Sequence, residues 1–426
     1  MSVALATTTP AVDWKALLSP LGGDQAALQQ FASLGLPNRR QEDWKYTQFG
    51  MLEKGAWSIA KPAGTAAPKL GITGAWHLIV DNGVLDLDAS ILPDQDGIEV
   101  KIVDAKGVAV DAMQAMNLAG CKLAIEVTVA RNVVAKKPLQ LVCLNNLATE
   151  ELAISRCSFN LGVSSELKVI EYQLGEGAGF ANQVVDVDVG ANAKFVHGRI
   201  QQLADATSMY SAVNVSIARD GRYFADSFDL GGRTVRNDIR AELNEPGASV
   251  ELDGLYAPTG RQHQDTHSWI VHNAPDCISR QLYKGVMDQR GRAVFNGIVR
   301  VERDAQRTDS EMQNRNILLS RHAEVDTKPE LVIYADDVKC AHGATVGELD
   351  GTALFYLRSR GIPEDDARSL LVYAFAAELI EKIEHSEMRD YLANAFADRL
   401  PGNDIVKAEA LAWTDNVDEA LEGDSE

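Results

Sequence analysis

Basic residues are in short supply in this chain: 41 lysines and arginines face 61 acids, a formal charge of −20 over 426 residues. A surface of that sign repels phosphate backbones and anionic lipid, so neither nucleic acid nor a membrane surface is an expected partner. Cysteine is sparse and scattered, at Cys121, Cys143, Cys157, Cys277 and Cys340, with no CxxC pair. Neither a zinc ribbon nor a self-contained cluster site is therefore written in the sequence, and a reducing compartment is expected. The dipeptide Gly-Lys never occurs, which rules out a phosphate-binding P-loop. GxSxG, HExxH and the dinucleotide-binding fingerprint are missing as well, so nothing argues for an autonomous catalyst. There is no run of 18 apolar residues to span a membrane, and the first twenty residues show no basic leader followed by an apolar core. The expectation is a soluble, cytoplasmic protein.

With 46% hydrophobic residues the composition is that of a folded chain with a large core. Residues 1–60 read as helical. Leu17, Leu21, Ala26, Leu28, Phe31 and Leu34 recur near helical spacing, broken by Pro20 and Gly22-Gly23, and a short helix is predicted over 38–50. A Pro- and Ala-rich linker follows over 61–73. From 74 to 347 the pattern changes to short alternating runs such as LAIEVTV, LKVIEYQL and VVDVDV, punctuated by Gly, Asn and Asp. Three segments beginning at Gly190, Gly247 and Gly291 share a glycine turn, an alternating strand and a second glycine, read as a bend. The period is not constant. A single sandwich of that length without helical insertions would be unusual, whereas a solenoid has no such limit, so a β-helix is favoured over two sandwiches.

Residues 348–413 return to helical character. Pro363 followed by Glu364, Asp365 and Asp366 is a helix start, and the body from Ala367 to Ile383 is apolar around most of its circumference. Such a helix should be covered on two sides, by its own core and by something else. A second helix is predicted over Met388 to Leu400, and 414–426 is an acidic tail.

The stretch DVKCAHGATVG, Asp337 to Gly347, places Cys340 and His342 two residues apart, on one face of an extended segment. A thiolate beside an imidazole suits a soft metal or iron already bound to sulfide, although a buried Cys next to a surface His is the plainer reading. Further ligands would have to come from elsewhere. His263 and His267 also share a face, but without a third ligand they read as structural. Asp336 and Asp337 read as turn residues. Arg292, Asn296, Lys328 and Glu330 read as polar pairs between solenoid coils, with an interface role as the alternative.

The segment DTKPELVIYADDVKCAHGATVG (Asp326 to Gly347) resembles the signature of the SufD family of the SUF iron–sulfur cluster assembly system. SRQLYKGVMDQRGRAVFNGIVRV (Ser279 to Val301), FYLRSRGI (Phe355 to Ile362), LVYAFAAELIE (Leu371 to Glu381) and LPNRRQEDWKYT (Leu36 to Thr47) are similar to further blocks of that family. The resemblance is dense from 279 to 381 and thin between 60 and 240. It implies a mainly β protein with a right-handed parallel β-helix flanked by N- and C-terminal helical regions. It further implies a non-ATPase scaffold subunit of a SufBCD complex, pairing with a SufB-type paralogue so that a nascent iron–sulfur cluster forms at the junction. His342, with Cys340 adjacent, would face that cluster. Leu371, Phe375 and Leu379 would dock a SufC-type ABC ATPase. No cofactor is implied for the isolated chain; a flavin in the complex and a homodimer of the lone chain stay open. The rival reading is a carbohydrate-active or carbohydrate-binding β-helix protein, against which stand the missing leader and an aromatic content of only 6%.

Overall fold

The computed structural model describes residues 11–66, 68, 70, 72, 74–383 and 386–401. From Leu123–Val129 onward successive strands alternate between two sheets of ten strands each, and each pairs in parallel with the next strand of its own sheet, which makes a parallel β-solenoid. Coil length varies along the axis. Lys194 pairs with Arg222, Arg222 with Ser249, Ser249 with Ile278 and Ile278 with Asp309, which accounts for the irregular sequence period.

One corner of each coil needs a left-handed residue. Asn132, Ser164, Asn192, Asp220 and Asp276 all have φ between 54° and 61°, and Gly247 has φ of 77°. Their N–H groups bond the next coil's corner, as Asn192 to the Arg219 carbonyl at 2.8 Å and Asp276 to Gln306 at 3.0 Å. Gly, Asn and Asp tolerate that conformation, and this is the origin of the turn punctuation. The second glycines do not bend the chain. They lie within strands where a neighbour crowds in: a Cβ at Gly254 would lie 2.3 Å from the Tyr283 ring, and one at Gly297 would lie 2.3 Å from the Met312 sulfur.

Three large apolar layers hold the molecule together, beside a small fourth cluster around Leu147, Leu203 and Val235. The first fills the solenoid. The second lies between the outer face of one sheet and the C-terminal helices, α5 (Glu364–Ile380) and α6 (Ser386–Ala397). The third lies between the other sheet and α1 (Trp14–Leu18), α2 (Gln25–Leu34) and α3 (Ala112–Gly120). The helix α3 is an insertion that strand periodicity hid. Over 38–50 the chain forms turns and a three-residue 3-10 helix, Glu42–Trp44, in place of the predicted helix. There tertiary contacts replace a helical ladder: Trp44 lies under the Arg236 guanidinium at 4.0 Å, and Arg236 donates to the Asp43 carbonyl at 2.6 Å. Ser58–Ile59 is a short strand, and the described part of 61–73 lies along the solenoid, tied by Asn82 Nδ2 to the Lys61 carbonyl at 2.8 Å. The acidic tail 414–426 lies outside the described residues.

The two ends of the solenoid differ. At the N-terminal end the outermost strands, Val84–Ile91 and Ile98–Asp104, run antiparallel to their neighbours and carry Asp86, Asp88 and Glu99. Reversed, charged edges discourage further pairing. At the other end Glu324–Ile333 and Val338–Gly347 are parallel to the stack and pair on one side only.

Candidate functional site at the open end of the solenoid

On Val338–Gly347 alternate side chains continue the inward-facing columns of the preceding coil. Cys340 is in register with Ser310, His342 with Met312, Ala344 with Asn314 and Val346 with Asn316. The four residues they stack on are buried, at 3% exposure or less. Cys340 is half-buried against the core, whereas His342, Ala344 and Val346 are exposed because no further coil covers them. The last coil is an open cross-section of the core, bounded by two strands with unpaired backbone edges.

The electrostatics there are simple. Burial pushes the Cys340 thiol above its ordinary range, the Asp309 carboxylate adds to this, and the Ser310 backbone opposes it. Cys340 is thus a thiol at neutral pH, and a metal would have to displace its proton. His342 has no hydrogen-bond partner among the described residues, so both ring nitrogens are available. The same described residues contain no group of three or more Cys, His, Asp or Glu side chains arranged to hold a metal ion. Cys340 and His342 alone fall short of a full coordination set.

The other sequence candidates separate from this edge. His263 bonds Thr47 Oγ1 of the N-terminal segment at 2.7 Å, and His267 pairs with Asp265 of its own strand at 3.0 Å. Arg292 pairs with Asp326 of the next coil at 2.6 Å, whereas Lys328 joins Glu330 of its own strand at 2.7 Å and reaches Glu42 of the N-terminal segment at 2.9 Å. Asn296 is buried with its side-chain oxygen unpartnered. Asp336 and Asp337 form the bend before the last strand.

On α5, Leu379 is 1% exposed and belongs to the layer against the solenoid, with Leu371 and Phe375 half-buried beside it. In the same region α4 (Gly351–Ser359) buries no residue and leaves Phe355 72% and Tyr356 56% exposed. This helix overlaps the family-like block Phe355 to Ile362, for which the sequence alone indicates no role. The signal available was a phenylalanine and a tyrosine side by side on a nine-residue helix that already carries Ala353, Leu354 and Leu357, more apolar surface than one packed face needs.

The SUF system FeS cluster assembly, SufBD core domain family matches residues 143–375, more than half of the chain. The iron–sulfur cluster assembly protein SufD of Escherichia coli is 36% identical over 392 residues, covering 89% of this chain and 92% of that protein. The chain belongs to the SufD family. An iron–sulfur cluster assembly SufBD family protein of Mycobacterium leprae is 30% identical over 340 residues, 75% of this chain and 84% of the relative. A SufBD family protein of Synechocystis is 38% identical over 213 residues, half of this chain. Membership places this SufD-family chain in iron–sulfur cluster assembly by the SUF system, on a parallel β-solenoid. No helix among the described residues is long and apolar enough to cross a membrane.

Proposed function

We propose that this chain is a non-catalytic scaffold subunit whose open solenoid end pairs with a SufB-type paralogue, and that the nascent cluster is assembled at that junction. The observation that carries this reading is the placement of Cys340 and His342 on the inward face of an uncovered terminal strand. Backbone groups of the two edge strands offer a ladder to a second solenoid, and Ile333 and Val346, 39% and 49% exposed, offer apolar area. Because only one end is open, pairing there closes a two-subunit assembly instead of propagating a filament. Iron and sulfide are cargo, held by His342 and Cys340 on this side and by ligands of the partner on the other.

A SufC-type ATPase would dock on the C-terminal helices in the cytoplasm, with the exposed Phe355 and Tyr356 as its apolar anchor. Leu371 and Phe375 would line the edge of that contact, and Leu379 would hold the seat from beneath. A homodimer of the lone chain uses the same open end in this reading. A flavin enters only in the full complex.

The test is an affinity purification of the tagged chain from its native cytosol, with Val346→Lys as comparator. Co-purification of a second solenoid subunit and a P-loop ATPase is expected, with iron and sulfide in the eluate, and loss of the solenoid partner from the variant. Recovery of the chain alone from both samples, without iron, would sink the reading.

A further inference from the structure

On this strongly acidic chain one ridge is basic. Arg233 directly precedes the strand Thr234–Leu243, and Arg261, Arg290 and Arg321 stand at the same turn of the next three coils, ahead of His263–His272, Arg292–Val301 and Glu324–Ile333. Backbone bonds stack these turns: the His263 N–H donates to the Arg233 carbonyl at 2.8 Å, and the Arg290 N–H donates to the Gly260 carbonyl at 3.1 Å. Ser320 Oγ donates to the Gln289 carbonyl at 2.6 Å. All four arginines are exposed, His322 adjoins the last, and none of the four has a side-chain partner among the described residues. The two acids on these turns form no ion pair with the four arginines among the described residues. Asp205 accepts from Gln262 at 2.8 Å, and Asp288 accepts from the Gln289 N–H at 2.6 Å.

A row of like charges about 4.8 Å apart per coil is unfavourable unless something neutralises it. The course of the chain indicates what does. Arg399, in the last described turn, donates to the carbonyls of Leu230 and Ala257 and to Gln262, and Arg368 donates to the Leu319 carbonyl at 3.2 Å. The described chain therefore stops at Pro401, beside the turns that carry Arg233 and Arg261. From there the sequence continues to Asp415, Asp418, Glu419, Glu422, Asp424 and Glu426, with no base after Lys407. The residues between Pro401 and Asp415 can span roughly 40 Å at 3.3–3.6 Å each, more than the ~15 Å that four coils occupy.

We propose that the arginine ridge is the docking surface for the chain's own acidic C-terminal segment, Asp415–Glu426. Tethering gives the segment an effective concentration on the order of millimolar, which favours it over an acidic surface in solution. Docked there, it screens the ridge from other acidic surfaces, and salt weakens the contact.

Zero-length carbodiimide coupling tests this on the full chain carrying Arg261→Lys and Arg290→Lys, which keep the charge and introduce reactive amines. Equal amounts of isotopically light and heavy chains are mixed before coupling and the digest is read by mass spectrometry. We expect coupling from position 261 or 290 to a carboxylate within Asp415–Glu426, light to light and heavy to heavy. Its yield should fall at least threefold between about 50 and about 500 mM salt. Absence of coupling to that segment, mixed light–heavy products that reveal a second copy as occupant, or a yield indifferent to salt would each overturn the proposal.

Discussion

His342 is in register with Met312, so an exposed imidazole takes up, one coil further along, the column that a fully buried thioether fills inside the solenoid. A chain that needed only to end its core there could reverse a strand and add charge, as the opposite end does with Val84–Ile91 and its Asp86 and Asp88. Retaining the parallel strand and placing a polarizable thiol and an imidazole at inward positions leaves a surface suited to a second solenoid and to a soft metal.

His342 contributes little to stability, being exposed and without a hydrogen-bond partner among the described residues. His342→Ala should change the unfolding free energy by no more than about 0.5 kcal/mol. In the reconstituted assembly the same substitution should cut bound iron and sulfide severalfold while leaving subunit stoichiometry intact. A melting curve and an iron and sulfide assay on the purified complex check the two halves separately. Undiminished cluster content would remove His342 from the site.

The seat of α5 depends on Lys284, which projects from the sheet face and is almost completely covered. Its Nζ donates to the Phe375 carbonyl at 2.6 Å and to Glu378 at 2.5 Å, and it lies 4.7 Å over the Phe375 ring. Burial lowers the Lys284 pKa, and the Glu378 hydrogen bond works against that fall. Lys284→Met keeps the stem but orphans the carbonyl, at a cost of about 1–3 kcal/mol. Hydrogen exchange should quicken in Glu364–Ile380 and stay unchanged in the solenoid strands. Uniform exchange across the molecule would show that Lys284 does not hold this helix.

Much of this was legible in the residues. The alternating runs and the Gly, Asn and Asp punctuation gave a solenoid because each coil repeats the same corner, and the corner's left-handed residue admits few side chains. The helix of Glu364–Ile380 was readable from its acidic first turn. What failed was local pattern overruled by packing. The segment 38–50 looks helical, yet Trp44 and Thr47 are held by Arg236 and His263, residues some two hundred positions away. The mid-strand glycines looked like bends because the sequence cannot show the Tyr283 ring pressing on Gly254. At the site, spacing put Cys340 and His342 on one face. Only the register with Ser310 and Met312 reveals that the face is the interior one.

His272 gives a pH dependence whose sign can be worked out. Its side chain is fully buried, Nε2 lies 2.9 Å from Ser279 Oγ, and Nδ1 has no partner. Burial alone pulls its pKa from 6.5 down to about 4. Above pH 6.5 the imidazole is neutral in both folded and unfolded chains, and the stability of the neutral, buried form is fully present. As pH falls from 6.5 towards 4 the unfolded chain takes up a proton that the folded chain refuses, so stability drops. At about 1.4 kcal/mol per pH unit the loss approaches roughly 3 kcal/mol. Burial also lowers the pKa of His197, which is fully buried, with the Glu171 hydrogen bond opposing, so it adds to the loss in the same direction. Denaturant unfolding of the wild type and of His272→Gln at a series of pH values isolates the term. The variant should be less stable near neutrality, because its amide loses fit, yet should show a shallower decline between pH 6.5 and 4. Parallel declines in the two proteins would assign the acid sensitivity to groups other than His272.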